Sequence, residues 1–297
     1  MPNGIDVSQW QGDIDFNAVK KSGVDFVIIR AGYGMFASQV DPKFNTNYKR
    51  AKDAGLDVGV YWYSYAKSVT EAIYEADTCL NAIKGKTFEY PIYFDLEEQS
   101  QFNKGKAFCD AITCAFCTRV EKAGYFAGLY ISRSPLQSYI SVDVAKRYAL
   151  WVAEYDSKLN YDKPVGMWQY TSKGKKSGIN GDVDLDICYV DYPTLIKTKG
   201  LNGFPKDANG SKILDITGAK PGDKNSTVYA FKCMLQLANL VGIINVKVDD
   251  NNVYGEGTLK AVNALQEHYG YDKTGIIGDN LISKLTDELS DHIDELW

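Results

Sequence analysis

The chain has 297 residues and a formal net charge of −5, with 45% hydrophobic and 24% charged residues. That balance describes a globular protein long enough for one large domain or for two. It excludes a nucleic-acid binder, which needs a basic face, and no apolar run approaches the roughly 20 residues that cross a bilayer.

Residues 4–8, Gly-Ile-Asp-Val-Ser, form a short first strand, with Trp10 and Gly12 just behind it. A helix follows over residues 14–21. Residues 25–32, Asp-Phe-Val-Ile-Ile-Arg-Ala-Gly, are apolar almost throughout, as in a strand covered on both faces. Asp41-Pro42 opens a helix that reaches about residue 54, and Gly55 ends it. A third strand spans 57–65. Ser68 caps the next helix, with Glu71 three residues on as a capping box, and that helix runs to about residue 83.

The fourth strand carries the most telling residues. Tyr90-Pro-Ile-Tyr-Phe-Asp-Leu-Glu-Glu98 is a short apolar run ending in acids. Asp95 and Glu97 lie two apart, so on a strand both side chains point to one side, roughly 6.6 Å apart along it. Two carboxylates at a buried strand end are costly unless chemistry needs them. A solvated acidic turn is the alternative for this stretch taken alone. A helix over 104–123, closed by Gly124, leads to a fifth strand at 125–132.

After that the rhythm changes. Residues 148–154, 166–171 and 183–188 are three more strand-like runs, and the gaps between them are too short for full helices. Five strand–helix units followed by three strands predict a closed barrel of the (β/α)8 kind with its last helices degraded. In such barrels chemistry sits where strands end. Asp6, Asp95, Glu97 and Asp184 all fall within or at the end of strand-like runs.

From about 199 the composition turns rich in Gly, Pro, Lys and Asp, which predicts a linker over 199–220 with one short strand at 213–216. Helices over 228–237, 258–266 and 281–289 then form a small second domain, 221–297. Six cysteines are too sparse for a disulfide scaffold. Cys109, Cys114 and Cys117 mimic an iron–sulfur spacing but sit in a helical, Ala-rich stretch and read as buried thiols. Two histidines, far from any cysteine cluster, give no zinc site. Asp182, Asp184 and Asp186 copy the start of a calcium loop but lack its glycine and closing glutamate. No metal or cofactor is expected.

Six motifs, in order, resemble the family 25 glycoside hydrolases, the muramidases of the Chalaropsis type. They are Gly4-Ile-Asp-Val-Ser-Gln-Trp-Gln-Gly12, Phe26-Val-Ile-Ile-Arg-Ala-Gly-Tyr-Gly34, Phe94-Asp-Leu-Glu97, Leu150-Trp-Val-Ala153, Met167-Trp-Gln-Tyr170 and Gly181-Asp-Val-Asp-Leu185. The resemblance covers residues 5–189. It implies a modified barrel of five strand–helix units and three further strands, cleaving the β-1,4 bond from N-acetylmuramic acid to N-acetylglucosamine in bacterial peptidoglycan. The family's acids fall on Asp6, Asp95, Glu97 and Asp184. Its cleft positions fall on Tyr61, Tyr63, Trp151 and Gln169, and Arg30 of the second motif joins them as a substrate-binding candidate.

The second domain resembles a three-helix peptidoglycan-binding domain, on Val253-Tyr-Gly-Glu-Gly-Thr258, Ala261-Val-Asn-Ala-Leu-Gln266 and Thr274-Gly-Ile-Ile-Gly278. It departs from that pattern in the loop Asp249-Asp-Asn-Asn252, and a packing or dimerisation module is the alternative. The opening residues enter a strand at once, without a basic stretch or apolar signal core. The expectation is an endolysin or other lytic enzyme, made in the cytoplasm and reaching the wall after release. Glu97 is the expected general acid, kept protonated by its acidic neighbours. Asp95 either holds the substrate's acetamido group for internal attack, or Asp6 or Asp184 activates a water and the product inverts. A catalytically inactive glycan-binding barrel and a hydrolase of chitin-like polymers are the rival readings.

Overall fold

The computed structural model describes residues 1–205, 218–224, 226–249 and 251–295. Eight strands close into a barrel in chain order. They are β1 (Asn3–Val7), β2 (Phe26–Tyr33), β3 (Asp57–Tyr63), β4 (Ile92–Asp95), β5 (Ala127–Ser132), β6 (Ala149–Ala153), β7 (Met167–Gly174) and β8 (Val183–Cys188). Helices α1 (Phe16–Lys21), α2 (Phe44–Asp53), α3 (Val69–Ile83), α4 (Gln99–Phe102), α5 (Lys106–Lys122), α6 (Arg133–Tyr139) and α7 (Val142–Arg147) fill the connections as far as β6. The expected helix over 104–123 is α5, and the short α4 before it was not expected. The connections from β6 to β7 and from β7 to β8 hold no helix, and α8 (Tyr192–Lys199) follows β8.

Local chemistry accounts for the helix starts. Ser68 Oγ accepts the Glu71 amide at 3.1 Å, and the Glu71 carboxylate reaches back to the Lys67 amide at 2.7 Å. The reciprocal bond lands one residue before the cap, a small variation on the expected capping box.

Strand alternation builds two apolar layers. Val27, Ile29, Val58, Val60, Phe94, Leu129 and Val152 point outward into the helices. Phe26, Ile28, Tyr93, Tyr130, Trp151 and Met167 point into the barrel. Two inward glycines make room for rings. A Cβ at Gly4 would lie 2.1 Å from Phe26, and one at Gly128 would lie 2.4 Å from Tyr93.

One expectation changes. Strands β1 to β7 pair in parallel, but β8 runs antiparallel to both neighbours, β7 and β1. The reason is length. Residues 175–182 are too few for a parallel crossover, which needs a dozen or so, and suit a hairpin. The active end of β8 is therefore its start, and Asp184 reaches that end from the opposite direction to Asp6 and Asp95.

The other end of the barrel is sealed. Phe26 stacks on Tyr90 at 4.3 Å, and Tyr192 meets Tyr90 edge-on. Beyond α8, Asn202 is fully buried. Its amide nitrogen donates to the carbonyls of Phe88 at 3.0 Å and Tyr90 at 2.8 Å, and its oxygen accepts the Phe126 amide at 2.6 Å. The barrel unit thus extends past the expected boundary at 198, and the first compact unit is Met1–Asn209. The strand expected at 213–216 lies outside the described residues.

The second unit, Gly210–Trp297, holds α9 (Ser226–Leu240), α10 (Glu256–His268) and α11 (Asp279–Glu295). Phe231, Leu235, Val262, Leu265, Leu281 and Leu285 form its core. The atypical loop is held by a buried lysine. Lys232 Nζ donates to Asp249 Oδ1 at 2.7 Å, Asn251 Oδ1 at 2.9 Å and the Val253 carbonyl at 3.1 Å. Among the described residues no helix is long and apolar enough to cross a membrane.

Candidate active site

At the end of the barrel where β1 to β7 finish and β8 begins, a cavity of about 180 Å³ is lined by Asp6, Tyr61, Asp95, Glu97, Tyr130, Trp151, Tyr155, Gln169 and Asp184. A larger and mostly apolar cavity of about 390 Å³, between α7 and the segment before β7, contains none of these acids. Register explains the convergence. Asp6 on β1 lies opposite Asp184 on β8, Asp95 on β4 lies opposite Tyr130 on β5, and Tyr130 lies opposite Trp151 on β6. Inward positions at one level of a closed barrel face one another across its axis.

Glu97 corrects the sequence picture in one respect. Strand β4 stops at Asp95, and Glu97 lies beyond it in the connection to α4. The Leu96 amide still bonds the Tyr130 carbonyl at 3.1 Å, so the ladder continues one residue and the two acids reach the same cavity. Glu97 keeps an open face to solvent. The cleft walls crowd its carboxyl on the other sides, and this partial burial, with Asp184 and Glu98 nearby, pushes it up to about 6.

The other acids sit deeper. Asp95 is 3% exposed, and burial, reinforced by Glu97, raises its carboxyl well above the usual range. Its Oδ1 has no hydrogen-bond partner. Asp6 is raised by burial and then by Asp186 and Asp184. Asp184 is half-buried, and its burial lifts it to about 6.

A polar relay fixes the floor. Gln169 Nε2 donates to Asp6 Oδ2 at 2.7 Å, while Gln169 Oε1 accepts from Tyr130 at 2.9 Å and from Tyr155 at 3.0 Å. The Trp151 ring packs 4.3 Å from Tyr130 and edge-on to Tyr61 at 6.3 Å. Its indole N–H donates to Asp186 Oδ1 at 2.9 Å.

Two expected substrate-binding residues do not line the cavity. Tyr63 lies opposite Asp95 at the rim and donates its hydroxyl to Glu98 at 2.8 Å. Arg30 is committed to Asp41, with both Nε and a terminal nitrogen 2.8 Å from Oδ2, and its charge acts on Asp95 by lowering it. Asp41 Oδ2 also accepts the Gln9 amide at 3.0 Å, so this pair anchors the turn that carries Trp10. Tyr61, Trp151 and Gln169 lie in the wall as expected.

Tyr130 and Tyr155 are not singled out by the sequence, and Asp186 enters there only as part of a failed calcium-loop pattern. Asp186 had a legible signal, since it stands two residues from Asp184 on one strand, the spacing that marks Asp95 and Glu97. Among the described residues, no group of three or more His, Cys, Asp or Glu is arranged to hold a metal ion. The site offers proton donation, proton acceptance and negative charge around a small polar cleft.

Comparisons with known proteins agree on one family. The model described as Glycosyl hydrolases family 25 matches residues 5–179. The autolytic lysozyme of Clostridium acetobutylicum is 33% identical over 191 residues, covering 62% of this chain and 54% of that protein. The modular autolysin LytC of Streptococcus pneumoniae, solved with a synthetic peptidoglycan ligand, aligns with a TM-score of 0.58 at 30% identity, over 63% of this chain and 46% of that one. The CTP1L endolysin aligns with a TM-score of 0.59 at 27% identity, over 67% of this chain and 70% of that one. The chain thus matches about half the length of the first two.

Proposed function

The chain belongs to the glycosyl hydrolases of family 25, and on that footing we propose that it is an endo-acting muramidase. It hydrolyses the β-1,4 bond between N-acetylmuramic acid and N-acetylglucosamine in bacterial peptidoglycan. The observation that carries this reading is the pairing of Glu97, open to the cleft and pushed up to about 6, with Asp95, buried beside it with Oδ1 unpartnered. A carboxyl that holds its proton up to about pH 6 can protonate a leaving glycosidic oxygen. A buried acceptor without a donor suits an incoming amide N–H.

The route we favour uses the substrate's own acetamido group. Glu97 gives its proton to the leaving oxygen as that bond breaks. The acetamido oxygen attacks the anomeric carbon, while Asp95 accepts the acetamido N–H and stabilises the positive cyclised sugar. Water then opens the ring at the same carbon, giving its proton to the Glu97 carboxylate, and configuration is retained. Asp6 or Asp184 acting as base on a water is the competing route and would invert the product.

Mass spectrometry of fragments from defined peptidoglycan tests the bond cut, since N-acetylmuramic acid must appear as the new reducing end. Release of N-acetylglucosamine ends, or faster cutting of chitin oligomers, would reassign the substrate; no new reducing ends would leave a glycan-binding barrel. Proton NMR of the first-formed anomer tests the route. A β product supports acetamido participation, and an α product removes it.

For the second unit we propose wall binding, supported by its three helices and the motifs quoted above. Joining two modules raises the effective concentration of each at a polymer surface. A barrel cut after Asn209 should pellet with insoluble walls less than the full chain; equal pelleting would leave the unit a packing or dimerisation module. The setting we propose is a lytic enzyme that meets the wall after release from the cytoplasm, supported by the likeness to an endolysin. Immunoblots of cell fractions before and after lysis check it.

A further inference from the structure

Asp186 is a fifth carboxyl on the inner face of the barrel. On β8 it pairs with Gly4 of β1 and Gln169 of β7, while Asp184 pairs with Asp6. Asp186 and Asp6 are therefore diagonal neighbours on one face of an antiparallel pair. Asp186 is 0% exposed and Asp6 6%.

Each carboxyl has one oxygen committed to a donor. The Trp151 indole bonds Asp186 Oδ1 at 2.9 Å, and the Gln169 amide bonds Asp6 Oδ2 at 2.7 Å. Asp186 Oδ2 is buried and no protein N–H or hydroxyl reaches it, and its diagonal neighbour on the same face is the Asp6 carboxyl. Two carboxylates are both acceptors, so a bond between them needs a carboxyl proton.

The surroundings favour keeping that proton. The acids Asp184 and Asp95 add negative charge at the pair. Cys188, Tyr61, Tyr130, Tyr155 and Tyr170, which face it, are all raised by burial and stay neutral. Two adjacent buried anions without a cation are strongly disfavoured, and one retained proton removes half the charge.

We propose that Asp6 and Asp186 share one proton across the β1–β8 seam, and that Asp186 is thereby a positioning residue holding Asp6 and the Trp151 indole in the cleft. The pair carries a single negative charge. Its consequence for turnover rests on the muramidase reading, while the proton itself does not.

Infrared spectroscopy of the resting full-length protein at mildly alkaline pH separates the two. In the difference between wild type and Asp186→Asn, the carbonyl stretch of a protonated carboxyl should appear on the wild-type side. The asparagine amide can supply Asp6 with its hydrogen, so that Asp6 ionises in the variant. A difference showing loss of a carboxylate alone overturns the shared proton. For turnover, Asp186→Asn should keep kcat at least about tenfold above Asp186→Leu, which bonds neither partner, a ratio on the scale of one charge-assisted contact. Equal kcat in the two folded variants overturns the positioning role. If wild type releases no reducing ends, the muramidase reading falls and the infrared result still decides the proton.

Discussion

At the sealed end of the barrel Glu89 is 5% exposed, and at the open end Asp95 is 3% exposed. Glu89 has both oxygens occupied, one by Lys52 at 2.6 Å and the other by the Val58 amide at 3.0 Å. Asp95 has Oδ1 bare. Burial is therefore common to a structural acid and to the one proposed to hold the substrate, and the difference lies in what is left unpaired. At the sealed end Glu89 and Asn202 are satisfied from within the chain. The open end keeps acceptors without donors, which costs stability and leaves them free to meet a ligand.

The largest break in that contrast comes from the open end. Glu97→Gln keeps the shape of the side chain and removes the proton, so reducing-end release should fall by about 10²–10⁴ while the far-ultraviolet spectrum and melting transition persist. Near wild-type lysis by the variant would take Glu97 out of the acid role. If the proposed muramidase activity holds, kcat/KM of the wild-type chain should fall as pH rises through about 6, where Glu97 loses its proton.

The sealed end should fail in the opposite manner. Asn202→Gly tolerates the left-handed backbone at that position (φ 55°) and deletes only the amide, stranding the Phe88 and Tyr90 carbonyls and the Phe126 N–H. A loss of about 3 kcal/mol in the barrel's urea unfolding is expected, with turnover of the folded fraction unchanged. A variant as stable as wild type would show that residues 200–205 are not part of the seal.

The smallest effect is a slope of stability with pH. Burial raises Glu97 and Asp184 to about 6 and Glu75 to about 7. Their folded values exceed the unfolded ones, so the folded state holds protons that the unfolded chain releases. The stability they contribute is fully present below about pH 4, where both states are protonated, and is lost as pH rises through 6 to 7. Calorimetry of the free protein should show Tm declining across that window, and Glu97→Gln should flatten the decline. A Tm that climbs from pH 5 to pH 8 contradicts it.

Much of this was legible in residue order. Short apolar and aromatic runs marked the eight strands, and Gly55 and Gly124 marked helix ends. Strand direction was not, because an apolar run is the same read from either end; only the shortness of residues 175–182 betrays that β8 turns back. Pairing over long separations was equally hidden. Arg30 looked free for substrate because Asp41, its partner, is distinguished by nothing in its neighbourhood except Pro42. Asn202 looked like linker because its surroundings are Gly and polar residues, while the three groups it satisfies lie far earlier in the chain. At the site, Asp6, Asp95, Glu97 and Asp184 were found by spacing and resemblance. Tyr130 needed the register that sets it opposite Asp95, and Tyr155, being exposed, carries no burial pattern at all.

The reversed last strand has a practical consequence. Because β7 and β8 form one hairpin, Gln169, Asp184 and Asp186 all lie within a single uninterrupted stretch, Met167–Cys188. The amide that grips Asp6 and two of the five inner carboxyls can therefore be exchanged together as one cassette. A chimera that imports this hairpin from a relative would recompose nearly half of the charged lining while leaving the six parallel strands β1 to β6 untouched.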